Sequence, residues 1–258
     1  MSTSGRLAGV RVVVTRAEHQ AQDLAAALED EGAVVETLPL IEVVPPTNPA
    51  PLADAARRLP TFDHLILTSG NAVEALFAAL EGAIPGTVQV TVIGSKTAAA
   101  LEAHGRSADL VAEHSQAEGL LEAILPVLRP GERVLLPQAA DARPVLAERL
   151  IAERVAVESV VAYRKRVPED AKERAEEIFA SGPLGWVTFT APSIVRNFRS
   201  LIEPWDVRAT TLLAASIGPV TSRALRHAGV EPAAEATEPS SPALVEAIAG
   251  SEAARHGQ

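Results

Sequence analysis

The 258-residue chain has no cysteine, one methionine, one tyrosine and two tryptophans, and aromatic residues make up only 3% of it. Without a thiol there is no disulfide, no thiolate nucleophile and no Cys-ligated zinc or iron–sulfur centre. Long apolar runs are missing too. Nothing approaches the roughly 18 consecutive apolar residues of a membrane span. The early apolar stretch Val10–Val14 is interrupted by Arg11 and is too short for a secretory signal. A soluble, cytoplasmic protein with no membrane contact is expected. Basic charge is also scarce, with 23 Lys and Arg against 33 Asp and Glu and a formal net charge of −10. That balance, with so few stacking rings, argues against a nucleic-acid partner. An anionic ligand would need locally arranged N–H donors and a few well-placed cations.

Signatures of cofactors are equally sparse. Gly70 and Gly94 belong to neither a G-x-G-x-x-G nor a G-x-x-x-x-G-K-[ST] pattern, although Gly94-Ser95-Lys96-Thr97 resembles the end of the latter. The six histidines (His19, His64, His104, His114, His227 and His256) contain no H-x-x-x-H pair with an acidic third ligand. His104 and His227 fall in the last turns of predicted helices, where a cation complements the dipole. The acidic runs Glu29–Glu31 and Glu173–Glu177 read as solvated helix faces. No metal and no cofactor are expected.

What the chain does have is a globular composition, 47% hydrophobic and 22% charged, and an internal duplication. One constant offset pairs Gly9 with Gly131, Arg11 with Arg133, Leu24 with Leu146, Leu28 with Leu150, Glu31 with Glu153 and Glu36 with Glu158. It continues through Thr68 and Thr190, and Val73 and Val195. After a two-residue insertion it pairs Ile93-Gly94 with Ile217-Gly218, Thr97 with Thr221, Leu101 with Leu225 and Gly105 with Gly229. Two copies of about 120 residues can each bury a core of their own.

Each copy alternates strands and helices, as a parallel sheet covered on both faces requires. The first copy predicts strands at Arg11–Val14, Ala33–Val44, Asp63–Leu67, Val88–Ile93 and Asp109–Val111. Its helices are predicted at Gln22–Glu31, Leu52–Leu59, Asn71–Leu80, Lys96–His104 and Ala117–Leu128. The fold class expected is α/β: two similar lobes, each a parallel sheet flanked by helices, joined by a two-stranded connector. Punctuation alone would divide the chain at Leu128–Gly131. Against that cut, Ala33–Val44 and Val155–Val167 are far longer than the usual strand of about five or six residues. Such strands can leave one sheet and run on to the other as a hinge, each sheet then mixing parts of both copies.

Ligands of open parallel sheets collect beyond the carboxyl ends of the strands. The segments there are Val14-Thr15-Arg16, Thr68-Ser69-Gly70-Asn71, Gly94-Ser95-Lys96-Thr97, Pro137-Gln138, Thr190-Ala191-Pro192-Ser193 and Gly218-Pro219-Val220-Thr221. Hydroxyl residues and glycines ahead of helices are N-caps first. They also offer free N–H groups at positive helix ends, which suit carboxylates or phosphates. Tyr163, the sole tyrosine, lies in the second long strand, where alternation puts it on the face of Lys165 and opposite Arg164 and Arg166. Its counterpart in the first copy is Ile41. From the residues alone it is either a packing residue or a phenol projecting into a cleft at the hinge.

These segments, together with Val161-Ala162-Tyr163 and Thr188-Phe189-Thr190, resemble in order and spacing the uroporphyrinogen-III synthase family, over Val10–Ile248. The resemblance implies two α/β lobes, one built from both chain ends: residues 1–38 and 168–258, residues 45–157, and connectors 39–44 and 158–167. It implies cyclisation of hydroxymethylbilane, a linear tetrapyrrole with many carboxylates, with inversion of the terminal pyrrole, loss of water and no cofactor. By match to the family's motifs, Tyr163 would aid departure of the hydroxyl, with Thr97 and Thr221 as the paired catalytic threonines. Substrate contacts would come from Arg16, Thr68, Ser69, Gly70, Lys96, Gln138, Arg143, Thr190, Ser193 and Gly218. Ala191 departs from the pattern, standing where serine is usual. A monomer in transient contact with the preceding pathway enzyme is expected. The competing class is a non-catalytic two-lobed module that binds or senses a tetrapyrrole or another polycarboxylate.

Overall fold

The computed structural model describes residues 5–112, 117–182, 185–202 and 212–256. His114 lies outside them, as does the side chain of His19. In chain order the first copy runs β1 (Arg11–Val14), α1 (Glu18–Asp30), β2 (Val34–Thr37), β3 (Glu42–Val44), α2 (Ala50–Arg57), β4 (His64–Leu67) and α3 (Gly70–Ala79). It ends with β5 (Gln89–Ile93), α4 (Gly94–Ala103), β6 (Leu110–Ala112) and α5 (Ala117–Ile124). The second copy runs β7 (Arg133–Ala139), α6 (Val145–Ala152), β8 (Ala156–Arg166), α7 (Ala171–Ala180), β9 (Trp186–Phe189) and α8 (Pro192–Leu201). Then follow β10 (Leu213–Ser216), α9 (Pro219–His227), β11 (Ala234–Glu235) and α10 (Ser241–His256).

The chain folds as α/β with two sheets, each of which draws on both copies. A five-stranded sheet has the order β11-β10-β9-β1-β2, and a six-stranded sheet the order β3-β8-β7-β4-β5-β6. Two compact units result, Met1–Glu42 with Arg166–Gln258, and Val43–Lys165. The crossings fall inside the neighbouring strands β3 and β8, not at Leu128–Gly131. Among the described residues no helix is long and apolar enough to cross a membrane.

The apolar runs of the strands follow from helices covering both faces of each sheet. Alternation along β4 sends Leu65 and Leu67 into one cluster and Ile66 into the cluster on the other face. In β1, Val13 goes to one face, and Val12 and Val14 to the other.

Ala33–Val44 is not one strand. It breaks into β2 in the five-stranded sheet and β3 in the six-stranded sheet. Pro39 has no N–H to offer a ladder, and around it the chain trails β1 through Leu38 N–H to Val14 O (2.9 Å) and Leu40 N–H to Thr15 O (3.2 Å). The second long strand survives whole as β8, with 11 residues. Helix starts also move: α1 begins at Glu18, upstream of Gln22, and α4 begins at Gly94, upstream of Lys96. Helix ends follow the glycines. Gly32, at φ +87°, closes α1 with Ala33 N–H on Leu28 O (3.1 Å), a Schellman stop. Its counterpart in the second copy is Arg154, which makes the same turn at φ +63° without glycine's freedom. That conformation costs an L-residue roughly 1–2 kcal/mol.

Two histidines have partners that their sequence positions do not reveal. His64 is buried, with Nε2 3.1 Å from a Glu132 carboxylate oxygen. His104 caps α4, stacks on Phe77 at 4.2 Å between ring centroids, and lies 3.0 Å from Glu74.

Candidate functional site

In each unit the predicted residues gather at the carboxyl ends of the strands. In the five-stranded sheet, β9 runs through Thr190 and Ala191 into α8, and β10 runs through Ile217 and Gly218 into α9. These turns, with Thr237 and Pro239, enclose a pocket of about 380 Å³ that brings Thr190, Gly218 and Thr221 together. Ser216 shapes it: its Oγ donates to Gly218 O (2.8 Å) and accepts Gly218 N–H (3.2 Å). Thr221 lies in the first turn of α9, only 3% exposed, and Ser193, half-buried, lies in the first turn of α8.

Arg16 leaves the same rim at the end of β1. Its Nη1 donates to Ser241 Oγ at 3.0 Å, at the start of α10. Its Nε is buried with no hydrogen-bond partner among the described residues. Burial pushes its guanidinium below the ordinary arginine value, and the Asp23 charge opposes that. The side chain nevertheless stays charged at neutral pH. A half-buried guanidinium with an N–H not engaged by the described residues can pair with a carboxylate. Sequence reading missed Ser241 as its partner. Ser240-Ser241-Pro242 repeats the hydroxyl-before-helix pattern, but a contact between opposite ends of the chain leaves no local trace.

In the six-stranded sheet, β4 runs through Thr68 and Ser69 into α3, whose first residue is Gly70. Ser69 caps that helix, its Oγ accepting Ala72 N–H at 3.2 Å. β5 passes directly into α4, where Gly94 takes φ +73° with open space around its missing Cβ. The reason for glycine here is therefore the backbone turn. Gly94 and Ser95 belong to the helix and not to a preceding loop. Lys96 is exposed on its first turn, while Thr97 is 5% exposed. Gln138 is half-buried near the end of β7, and Arg143 is exposed in the loop after it.

Tyr163 owes its setting to an irregularity that sequence alternation does not show. The β7–β8 register shifts between Gln138, opposite Val161, and Ala139, opposite Tyr163, leaving Ala162 as the extra residue. Bulges of this kind re-aim side chains. Val160 and Ala162 alternate properly into the core, and the bulge then turns Tyr163 to the same side. The ring is 6% exposed, and its hydroxyl lies 3.1 Å from Ser69 Oγ. The Lys165 ammonium stands 5.8 Å from the ring centroid, on the face that strand alternation assigns it. Beside the ring is an apolar groove of about 470 Å³ whose walls include Val43, Pro45, Leu52, Asn71 and Ala75.

Four of the rim helices, α3, α4, α8 and α9, have no acidic residue in the first turn, whereas α1 has Glu18 and α6 has Glu148. The starts of α3, α4 and α8 thus keep positive ends that favour bound anions, whereas at α9 Glu235 accepts from Ser222 and Glu238 lines the pocket.

The copies differ at the cap that precedes α3 in one and α8 in the other. Ala191 holds the same cap geometry (φ −160°, ψ 153°) as Ser69 (φ −160°, ψ 154°) but has no side-chain bond to give. Ala191→Ser is expected to raise the unfolding free energy by about 1 kcal/mol, read from denaturant midpoints at constant slope. No gain would mean that the hydroxyl does not reach the free N–H groups of α8.

A family model described as uroporphyrinogen-III synthase HemD matches residues 22–246. A uroporphyrinogen-III synthase from Synechococcus elongatus is 34% identical over 226 residues, covering 84% of this chain and 85% of that protein. Among solved structures, a mutant uroporphyrinogen III synthase from Thermus thermophilus superposes with a TM-score of 0.63 at 22% identity, covering 97% of this chain and all (100%) of that one. The Helicobacter pylori uroporphyrinogen-III synthetase does so with a TM-score of 0.61 at 22% identity, covering 92% and 97%. At that identity the two structures speak for the fold.

Proposed function

The chain belongs to the uroporphyrinogen-III synthase family, and from that membership we infer that it cyclises hydroxymethylbilane to uroporphyrinogen III. The observation that carries this reading is the family match across residues 22–246. Hydroxymethylbilane closes by itself to the uninverted isomer. The protein's task is therefore to select a conformation, which is work for positioned donors and a well-placed acid.

The carboxylates are held at helix starts. On the five-stranded sheet the donors are Arg16, Thr190, Ser193 and the Gly218–Thr221 turn. On the six-stranded sheet they are Thr68, Gly70, Lys96, Gln138 and Arg143. Backbone N–H groups at the acid-free helix starts let a protein of net charge −10 hold a polyanion without a basic surface. Thr97 and Thr221, each in a helix first turn, fix the approach of the chain to those N–H groups.

The Tyr163 phenol donates its proton to the terminal hydroxymethyl oxygen, which leaves as water. The azafulvene cation so formed is attacked by the last pyrrole at its substituted carbon, giving a spiro intermediate. Reopening and closure invert that ring, and the proton released on rearomatisation returns to the phenolate. The balance is one substrate to one macrocycle and one water. A cytoplasmic monomer that receives its unstable substrate by brief contact with the preceding enzyme fits this chemistry.

The test is to supply freshly made hydroxymethylbilane and separate the two isomers. Uroporphyrinogen III formed faster than spontaneous closure is expected. Isomer I alone, at the rate seen without protein, would overturn the enzyme reading in favour of a binding module.

A further inference from the structure

We propose that Ser69 is a positioning residue for Tyr163: its hydroxyl donates to the phenol oxygen and leaves the phenol proton for the substrate. The proposal rests on the reading of Tyr163 as the acid. The two oxygens are 3.1 Å apart, so one of them donates to the other. One bond uses one of the two hydroxyl protons, and the direction decides which proton remains. If the phenol donates to Ser69, its proton is consumed inside the protein. If Ser69 donates, the proton that remains is the acidic one.

The surroundings of Ser69 favour donation from it to the phenol, against the phenol's own greater acidity. Its oxygen already accepts Ala72 N–H at 3.2 Å as the cap of α3. A hydroxyl that accepts becomes a better donor, because hydrogen bonds in a chain polarise one another. The positive end of α3, with no acidic residue in its first turn, acts in the same sense on the Ser69 O–H. Among the described residues the phenol oxygen is the side-chain acceptor within reach of that proton. The resulting chain runs Ala72 N–H, Ser69 O–H, Tyr163 O–H, and each link strengthens the next as a donor. The bulge at Gln138/Ala139 places the phenol at the end of this chain. The corresponding pair of the other unit lacks both groups: Ala191 of the second copy stands where the first copy has Ser69, and Ile41 of the first copy stands where the second has Tyr163.

Because Tyr163 is the only tyrosine, its Raman Fermi doublet reports the donor or acceptor state of one phenol, without turnover. The free enzyme is expected to show a phenol that accepts a hydrogen bond. Ser69→Gly removes the hydroxyl while glycine remains an adequate cap. In that variant the acceptor signature is expected to disappear and kcat to fall about 10-fold, with KM changed less than about twofold. Ser69→Thr keeps both the cap and the hydroxyl and is expected to restore the doublet and most of the rate. A doublet showing a donating phenol in the free enzyme, or one unchanged by Ser69→Gly, would overturn the relay. A fully active Tyr163→Phe would instead overturn the underlying role of the tyrosine, and the two failures are distinguishable.

Discussion

Tyr163→Phe is expected to lower the rate of uroporphyrinogen III formation by about 100-fold, the lower end of what a positioned general acid contributes. The substitution removes one oxygen and keeps the ring in its cluster with Leu65, Leu67, Val160 and Ala162. The lost hydrogen bond is a single one, to Ser69, whose oxygen keeps the Ala72 N–H. Stability is therefore expected to fall by no more than about 1 kcal/mol. Rate and stability thus separate, which a packing role for the phenol would not allow. The product should change as well: as the enzymatic path slows, spontaneous closure takes a larger share and the isomer ratio moves toward uroporphyrinogen I. Unchanged turnover, or a rate loss matched by loss of the folded state, would remove Tyr163 from the chemistry.

The duplication was the most legible feature of the chain, because it is written as identities at one offset. It made the alternating α/β pattern and the rim loops readable twice. The exchange of strands between sheets was hinted at by length alone, and Pro39 then divided what looked like one strand into two. Such a break depends on which sheet each half finds, a tertiary matter. The bulge that aims Tyr163 was invisible for the same reason: a register shift belongs to a pair of strands, and Val161-Ala162-Tyr163 carries no mark of it. Alternation placed Lys165 beside the ring but gave no account of the phenol's burial. Arg16 was readable as a cation at a strand end. Its vacant Nε and its tie to Ser241 emerge only once α10 is packed in place. Where the two copies differ, at Gly32 and Arg154 and at Ser69 and Ala191, the comparison shows which substitutions a position tolerates and at what strain.

Arg16→Met is expected to weaken substrate binding while leaving the protein as stable as before or slightly more so. A half-buried guanidinium whose Nε meets no partner among the described residues has given up hydration that the Ser241 bond and the Asp23 charge only partly replace. Replacing it by an apolar side chain of similar length relieves that burden, and Ser241 at the helix start loses one hydrogen bond. The net change in unfolding free energy should lie between about 0 and +1 kcal/mol. Binding should respond in the opposite direction. A charge-assisted bond from arginine to a carboxylate contributes about 1.5–3 kcal/mol, so KM for hydroxymethylbilane should rise roughly 10- to 100-fold. The turnover number should change much less, since in the role proposed for it Arg16 holds a carboxylate and does not touch the departing hydroxyl. Lysine should not rescue KM fully, because an ammonium cannot reproduce the planar fork. Steady-state kinetics with denaturant unfolding on the same samples read both quantities. A variant that binds normally but unfolds several kcal/mol more easily would make Arg16 a structural residue. Gained stability with lost affinity is the signature of a binding cation held ready for a ligand.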